Sequence, residues 1–111
     1  MSLTGEVARE FVVRRGARKL RQEIEKAGLD NLKILVNNGV SIIATYLNSC
    51  SPQEKAIHKQ ELIAARQMGI APDMVLSELI RQMPELAPIM EGREGYKRSE
   101  LENLEAFLKE A

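Results

Sequence analysis

The sequence predicts an all-α fold, a small orthogonal bundle of about five helices, and three observations carry that prediction. Apolar residues recur at helical spacing, as in the 4-3-4-3 series Val13, Ala17, Leu20, Ile24 and Ala27. Helix start signals precede such stripes at Ser51-Pro52-Gln53-Glu54 and at Ser99 with Glu102. The apolar complement is Leu, Ile, Val, Ala and Met, with no Trp and only Phe11, Phe107, Tyr46 and Tyr96 as aromatics. That set suits helix packing better than a β-sandwich.

At 111 residues, with 44% hydrophobic and 29% charged residues, the chain is expected to be one domain (1–111) that builds its core without disulfides or metal. Residues 1–3 read as a leader and carry no weight. The formal net charge is zero, which removes the global attraction a dedicated nucleic-acid binder exerts, although a local basic patch stays open. Four scattered aromatics do not make a stacking platform for single strands. A single cysteine, Cys50, forms no internal disulfide, and nothing resembles a signal peptide. The longest apolar run, 34–47, is interrupted by Asn37, Asn38, Gly39 and Ser41 and is too short to span a bilayer. A cytoplasmic location without membrane contact is the expectation.

The first helix is expected from about Gly5 to Ala27, stopped by Gly28. Its apolar pattern changes face midway. Val7, Ala8, Phe11 and Val12 lie on one side, the series from Val13 to Ala27 lies nearly opposite, and Gly16 sits at the changeover. Either the helix bends there or different elements grip its two sides. Residues 32–47 read two ways. Asn38-Gly39 between β-branched runs is a hairpin signal, whereas Leu32, Leu35, Val36, Val40, Ile43, Ala44 and Leu47 fall on a helical face that Asp30 could cap. Helix is favoured, with a break at 37–39, because a lone hairpin in a helical chain lacks a sheet partner.

Ser51, Pro52 and Glu54 open a helix carrying Ile57, Leu62, Ala64, Ala65 and Met68, which stops at Gly69. Pro72-Asp73 opens the next, with Met74, Val75, Leu76, Leu79, Ile80 and Met83, ending before Pro84. Pro84, Pro88, Gly92 and Gly95 make 84–98 an irregular connecting segment anchored by Leu86, Ile89 and Met90. Ser99 with Glu102 starts the last helix, lined by Leu101, Leu104 and Leu108 with Phe107 beside them.

Within 64–80, Ala65, Gly69, Ile70, Val75 and Leu79 place small, glycine and apolar residues at offsets that let two helices meet across a tight turn. This stretch resembles the two-helix unit of helix-turn-helix DNA-binding domains. The resemblance covers under a fifth of the chain, and it implies base reading from Ala71, Pro72, Asp73, Leu76 and Ser77. None of these is Arg, Lys, Asn or Gln, and Asp73 and Glu78 would oppose phosphates. The side chains depart from the family at the positions that matter for reading.

Catalysis has little material. His58 is the only histidine and reads as a surface or boundary residue; Cys50 is a linker thiol near a helix start without a fixed base. Glu91 with Glu94, and Glu102 with Glu105, read as solvated faces, and no metal or cofactor set has ligand spacing. Gly92-Arg93-Glu94-Gly95 lacks the lysine, hydroxyls and preceding strand of a phosphate loop. The basic run Arg14, Arg15, Arg18, Lys19 and Arg21 could contact phosphates together. Alternatively it neutralises the acidic last helix (Glu100, Glu102, Glu105, Glu110) by antiparallel pairing, within one chain or across a dimer.

The nearly all-apolar helix 73–83 and its continuation suggest an interaction surface at Met74, Leu76, Ile80, Met83, Leu86 and Ile89. The expectation is a non-enzymatic protein–protein interaction module, homodimeric by its unpaired apolar faces. The alternative is a DNA-binding regulator that uses the basic first helix.

Overall fold

A computed structural model describes residues 2–109, and these are helical with no strand among them. Seven helices are present: α1 (Ser2–Glu25), α2 (Leu29–Asn37), α3 (Ile42–Ser49), α4 (Pro52–Gln67), α5 (Pro72–Gln82), α6 (Leu86–Glu91) and α7 (Tyr96–Lys109). Two more helices form than the spacing suggested. The 32–47 stretch divides into two, and the segment 84–98, expected to be irregular, contains α6 and the first turn of α7. Every helix contributes at least two side chains to one core, from Ala17, Leu20 and Ile24 of α1 to Leu104, Phe107 and Leu108 of α7. No helix among the described residues is long and apolar enough to cross a membrane. Met1, Glu110 and Ala111 lie outside the described residues.

α1 packs chiefly along α5 and also touches α4 and α3, while α7 packs on α3, α5, α4 and α6. The expected antiparallel pairing of α1 with α7 within the chain is therefore not a main contact of this fold. The two helices are separated by the elements that each of them grips. Ionic contact with α7 comes from α4 instead, where Arg66 reaches Glu105 at 2.6 Å.

Several local signals operate as the sequence predicts. The Ser51 hydroxyl accepts from the Glu54 N–H at 3.2 Å, and Pro52 occupies the first turn where no N–H is needed. Gly69 stands at φ 82°, a conformation that a Cβ would strain. The turn it makes lets the Ile70 N–H return to the Ala65 carbonyl at 3.0 Å, which seats Ile70 in the core. Other signals do not operate. Gly28 rather than Asp30 is the cap residue of α2, with Asp30 inside the first turn. Ser99 is not a cap either, because α7 starts at Tyr96 and the Ser99 N–H already bonds the Gly95 carbonyl.

The break between α2 and α3 is where distant side chains decide the structure. α2 ends at Asn37 and α3 begins at Ile42, so carbonyls of one helix and N–H groups of the next lose their internal partners. Arg93 donates to the Val36 and Asn37 carbonyls at 3.0 and 2.8 Å, placing a cation at the negative end of α2. Gly39, at φ 74°, passes beneath that guanidinium, and a Cβ there would meet it at 3.2 Å. On the other side the Glu100 carboxylate accepts from the Ile42 and Ile43 N–H groups at 2.8 and 3.0 Å, an anion at the positive end of α3. Tyr96 donates its hydroxyl proton to the Val40 carbonyl at 2.7 Å, and Ser41 caps from within the chain by accepting from Ala44. Glu100, expected on a solvated acidic face, is 0% exposed.

Removing the Glu100 carboxyl would strand the buried Ile43 N–H and leave the Ile42 N–H only the Tyr96 hydroxyl oxygen at 3.3 Å. At about 1–3 kcal/mol for an unsatisfied group, Glu100→Ala is expected to cost at least about 1–3 kcal/mol, measured by urea denaturation. Glu100→Gln keeps one acceptor and should cost less than Glu100→Ala. An alanine variant within about 0.5 kcal/mol of the parent, the range of an ordinary surface change, would contradict this account of the clamp.

Burial pushes the Glu100 carboxyl above its ordinary range, outweighing the donors Ile43, Ser41, Ile42 and Tyr96 that favour the charged form. Between the unfolded and the raised folded value, the folded chain holds a proton there that the unfolded chain has released; above that window the group is the carboxylate that closes α3. This contribution is complete below the unfolded carboxyl value and is lost as pH rises from about 4.5 through the raised value. The stability difference between the parent and Glu100→Gln should thus shrink as pH rises through that window. Parallel stability–pH curves for the two proteins would refute it.

Candidate functional site

The switch of apolar face along α1 has a direct structural counterpart. Val13, Ala17, Leu20 and Ile24 turn inward, with Ala17, Leu20 and Ile24 buried in the core. Val7 and Phe11, one turn apart on the opposite side, are 60% and 63% exposed. No second element among the described residues covers these two, although Val12 of the same stripe packs against the core. α1 is one helix across Gly16, and its outer apolar face is open. Arg14 and Arg18 continue the same face toward the C-terminus, and Glu6 and Glu10 flank its apolar half.

The six residues expected to form an apolar surface divide by burial. Leu76, Met83 and Leu86 are core residues at 1%, 3% and 0% exposure, so they offer nothing to a partner of this fold. Ile80 and Ile89 are half-buried against that core, and only Met74 is well exposed. α5 is apolar nearly all round because α1 covers one side and α7 another. Glu78, buried at 8% exposure, pairs with Arg81 on the next turn. The start of α5 exposes Asp73, Met74 and Ser77, while Pro72 is buried; none of these carries a base-reading group.

The basic run does not project as one free patch. Arg15 and Lys19 both reach Glu61 on α4, Arg14 pairs with Glu10, and Arg21 lies 3.5 Å from Glu25. Arg18 is exposed and has no ion pair among the described residues. The acid that meets the run is Glu61 rather than the last helix. The glycine-flanked stretch 92–95 likewise serves the fold, since its Arg93 closes the end of α2.

The structure also assembles three side chains that sequence spacing keeps far apart. Glu23 near the end of α1, Cys50 at the end of α3 and His58 on α4 bring one carboxylate oxygen, the sulfur and one ring nitrogen within 4.8 Å of one another. His58 is buried rather than peripheral, at 8% exposure. The Cys50 thiol donates to the Tyr46 carbonyl at 3.2 Å and lies 3.5 Å from Glu23 Oε2. Burial, then the Glu23 charge, pushes this thiol up to about 11, so it is not an activated nucleophile. Burial alone would raise the Glu23 carboxyl, but hydrogen bonds from Lys26 and Cys50 hold it below its ordinary range. Spacings of 27 and 8 residues match no metal motif, so the only sequence signal was the presence of the donor types themselves.

Beside His58, a partly open hollow of about 160 Å³ lies between α1, α4 and α5, lined by Gly16, Leu20, Leu62 and Val75 among others. Ligand pockets usually run from about 300 Å³ upward, so it is smaller than most of them. In comparisons with known proteins, no family model, no curated protein and no solved structure matches the chain.

Proposed function

We propose that this chain is a non-enzymatic helical interaction module that forms a homodimer through the outer face of α1. The observation that carries the reading is the exposure of Val7 and Phe11 on the side of α1 opposite the core. A single exposed apolar residue needs no explanation, but an aliphatic and an aromatic side chain stacked one turn apart, both more than half exposed, form a patch. A second copy fits that patch by charge. Acidic Glu6 and Glu10 precede basic Arg14, Arg15 and Arg18, so antiparallel copies oppose acidic and basic halves about a two-fold axis. Arg18, without an ion pair of its own, would meet the acidic half of the other copy.

Scale sets the strength. A 24-residue helix is about 36 Å long, and a face about 10 Å wide buries on the order of 400 Å² per partner. Stable interfaces bury roughly 800 Å² per partner, so the dimer is weak and concentration-dependent. The lone half-buried thiol fits a reducing, cytoplasmic setting.

Light scattering or sedimentation is expected to show a monomer that converts to dimer in the range of tens to hundreds of micromolar, weakening with salt. Phe11→Glu should abolish the dimer while changing stability by less than about 0.5 kcal/mol, because the side chain lies outside the core. A clean monomer at the highest concentration, or a dimer indifferent to Phe11→Glu, would overturn the proposal.

The second reading, a DNA-binding regulator, is favoured by one observation, the glycine turn that joins α4 to α5. The two helices are not a main packing pair, the start of α5 carries no Arg, Lys, Asn or Gln, and four of the five candidate phosphate contacts already have carboxylate partners. Duplex DNA is therefore expected to bind weakly at low salt and to be released by physiological salt. Nanomolar, sequence-dependent binding at physiological salt, lost in Arg14→Ala with Arg18→Ala, would replace the dimer module with the regulator.

A further inference from the structure

We infer that Glu23, Cys50 and His58 form a binding site for a divalent transition-metal ion of the zinc type. The donor set combines a thiol, an imidazole and a carboxylate, which selects a borderline ion over the oxygen-seeking magnesium and calcium. Geometry is close to what such an ion requires. With a metal–sulfur bond of about 2.3 Å and a metal–oxygen bond of about 2.0 Å in a tetrahedral site, sulfur and oxygen stand about 3.5 Å apart. Cys50 Sγ and Glu23 Oε2 are 3.5 Å apart already. The remaining separations are at most 4.8 Å.

An independent observation concerns His58 itself. It is 8% exposed, yet it makes no hydrogen bond among the described residues, while its ring nitrogen faces the thiol and the carboxylate. Its ring nitrogens are not among the enclosed polar atoms that lack a partner, so the imidazole is open to an incoming ion, and metal coordination gives it a partner that the protein does not. The fourth position opens on a hollow bordered by Ser49, Ser51 and Glu54, which admits a water ligand. Lys26 donates to Glu23 at 3.0 Å from an exposed position and is the competitor that an incoming ion must displace.

The three donors come from α1, the end of α3 and α4, so a bound ion would tie together three helices. This site is separate from the outer face of α1, and it stands or falls without the dimer.

The test is titration of the chelator-stripped, reduced full-length chain with Co²⁺, followed by displacement with Zn²⁺. One Co²⁺ per chain is expected, with a sulfur-to-cobalt charge-transfer band and the intense visible bands of tetrahedral cobalt. Zinc should bleach both and raise the melting temperature, whereas excess Mg²⁺ should do neither. Cys50→Ser should abolish the charge-transfer band, and His58→Gln should weaken binding by at least about tenfold, the scale on which even supporting residues act. Lys26→Gln should tighten it. Far-ultraviolet circular dichroism checks that each variant keeps its helices. Absence of a sulfur–cobalt band in the parent chain overturns the site on its own, whatever the variants do. Binding that is unaltered in well-folded Cys50→Ser and His58→Gln overturns it as well.

Discussion

Two helix ends that the local chain cannot close are closed from 56 to 58 residues away, and the arrangement of the other helices depends on that closure. α2 has 9 residues and α3 has 8, well below the length at which an isolated helix holds in water. Both exist because α7 and the turn before it supply opposite charges to opposite helix ends. Arg93 neutralises the carbonyl end of α2, and Glu100 neutralises the amide end of α3. The geometry is exacting, since a carboxylate held among apolar side chains is costly unless each oxygen receives a donor. Here one oxygen takes the Ile42 N–H and the other takes the Ile43 N–H. The clamp orients α3, and α3 in turn provides Ile42, Ile43 and Leu47, through which α1 and α7 share one core.

This explains which parts of the molecule were legible in the sequence. Ser51-Pro52 and Gly69 act within four residues of themselves, and both work as their local chemistry dictates. The break at Asn38-Gly39 was visible as a conflict between turn chemistry and helical periodicity, and helix, the favoured reading, is what forms on both sides; what closes the two helix ends was not visible. A hairpin would have needed a sheet partner, and what the chain provides instead is a pair of side chains more than fifty residues later. Glu100 was misplaced for the same reason. On sequence it is one glutamate among several on an acidic helix, and only tertiary contact distinguishes it from Glu102, which is exposed. α6 was hidden by Pro88, which reads as a breaker and instead sits inside a short helix on α7. The Glu23, Cys50 and His58 cluster escaped because its members lie on three elements whose mutual placement no spacing encodes.

The apolar pattern of α1 carried more than a helix assignment. One stripe predicts one buried face, and the second stripe at Val7 and Phe11 was a real excess of apolar surface. The same reasoning applied to α5 led elsewhere. Its all-round apolarity suggested a surface, whereas α1 and α7 flank it and bury Leu76 and Leu79. What separates the two cases is packing: α5 has α1 on one side and α7 on another, whereas no element among the described residues covers Val7 and Phe11.

α3 links the clamp to the metal-ligand cluster, since its two ends belong to two different polar sites. Its first turn is bound to Glu100 and Tyr96, and its last residues deliver Tyr46 and Cys50 to Glu23 of α1. Between them the helix offers only one buried apolar face, so its placement is set by its ends more than by its length. A group that binds at Cys50 would therefore act on a helix already pinned at the far end, where the cost of ordering has been met by the carboxylate of Glu100. That is the physical sense in which the lower site is preorganised: its thiol is presented by a short helix that cannot swing, because its other end is held by charge.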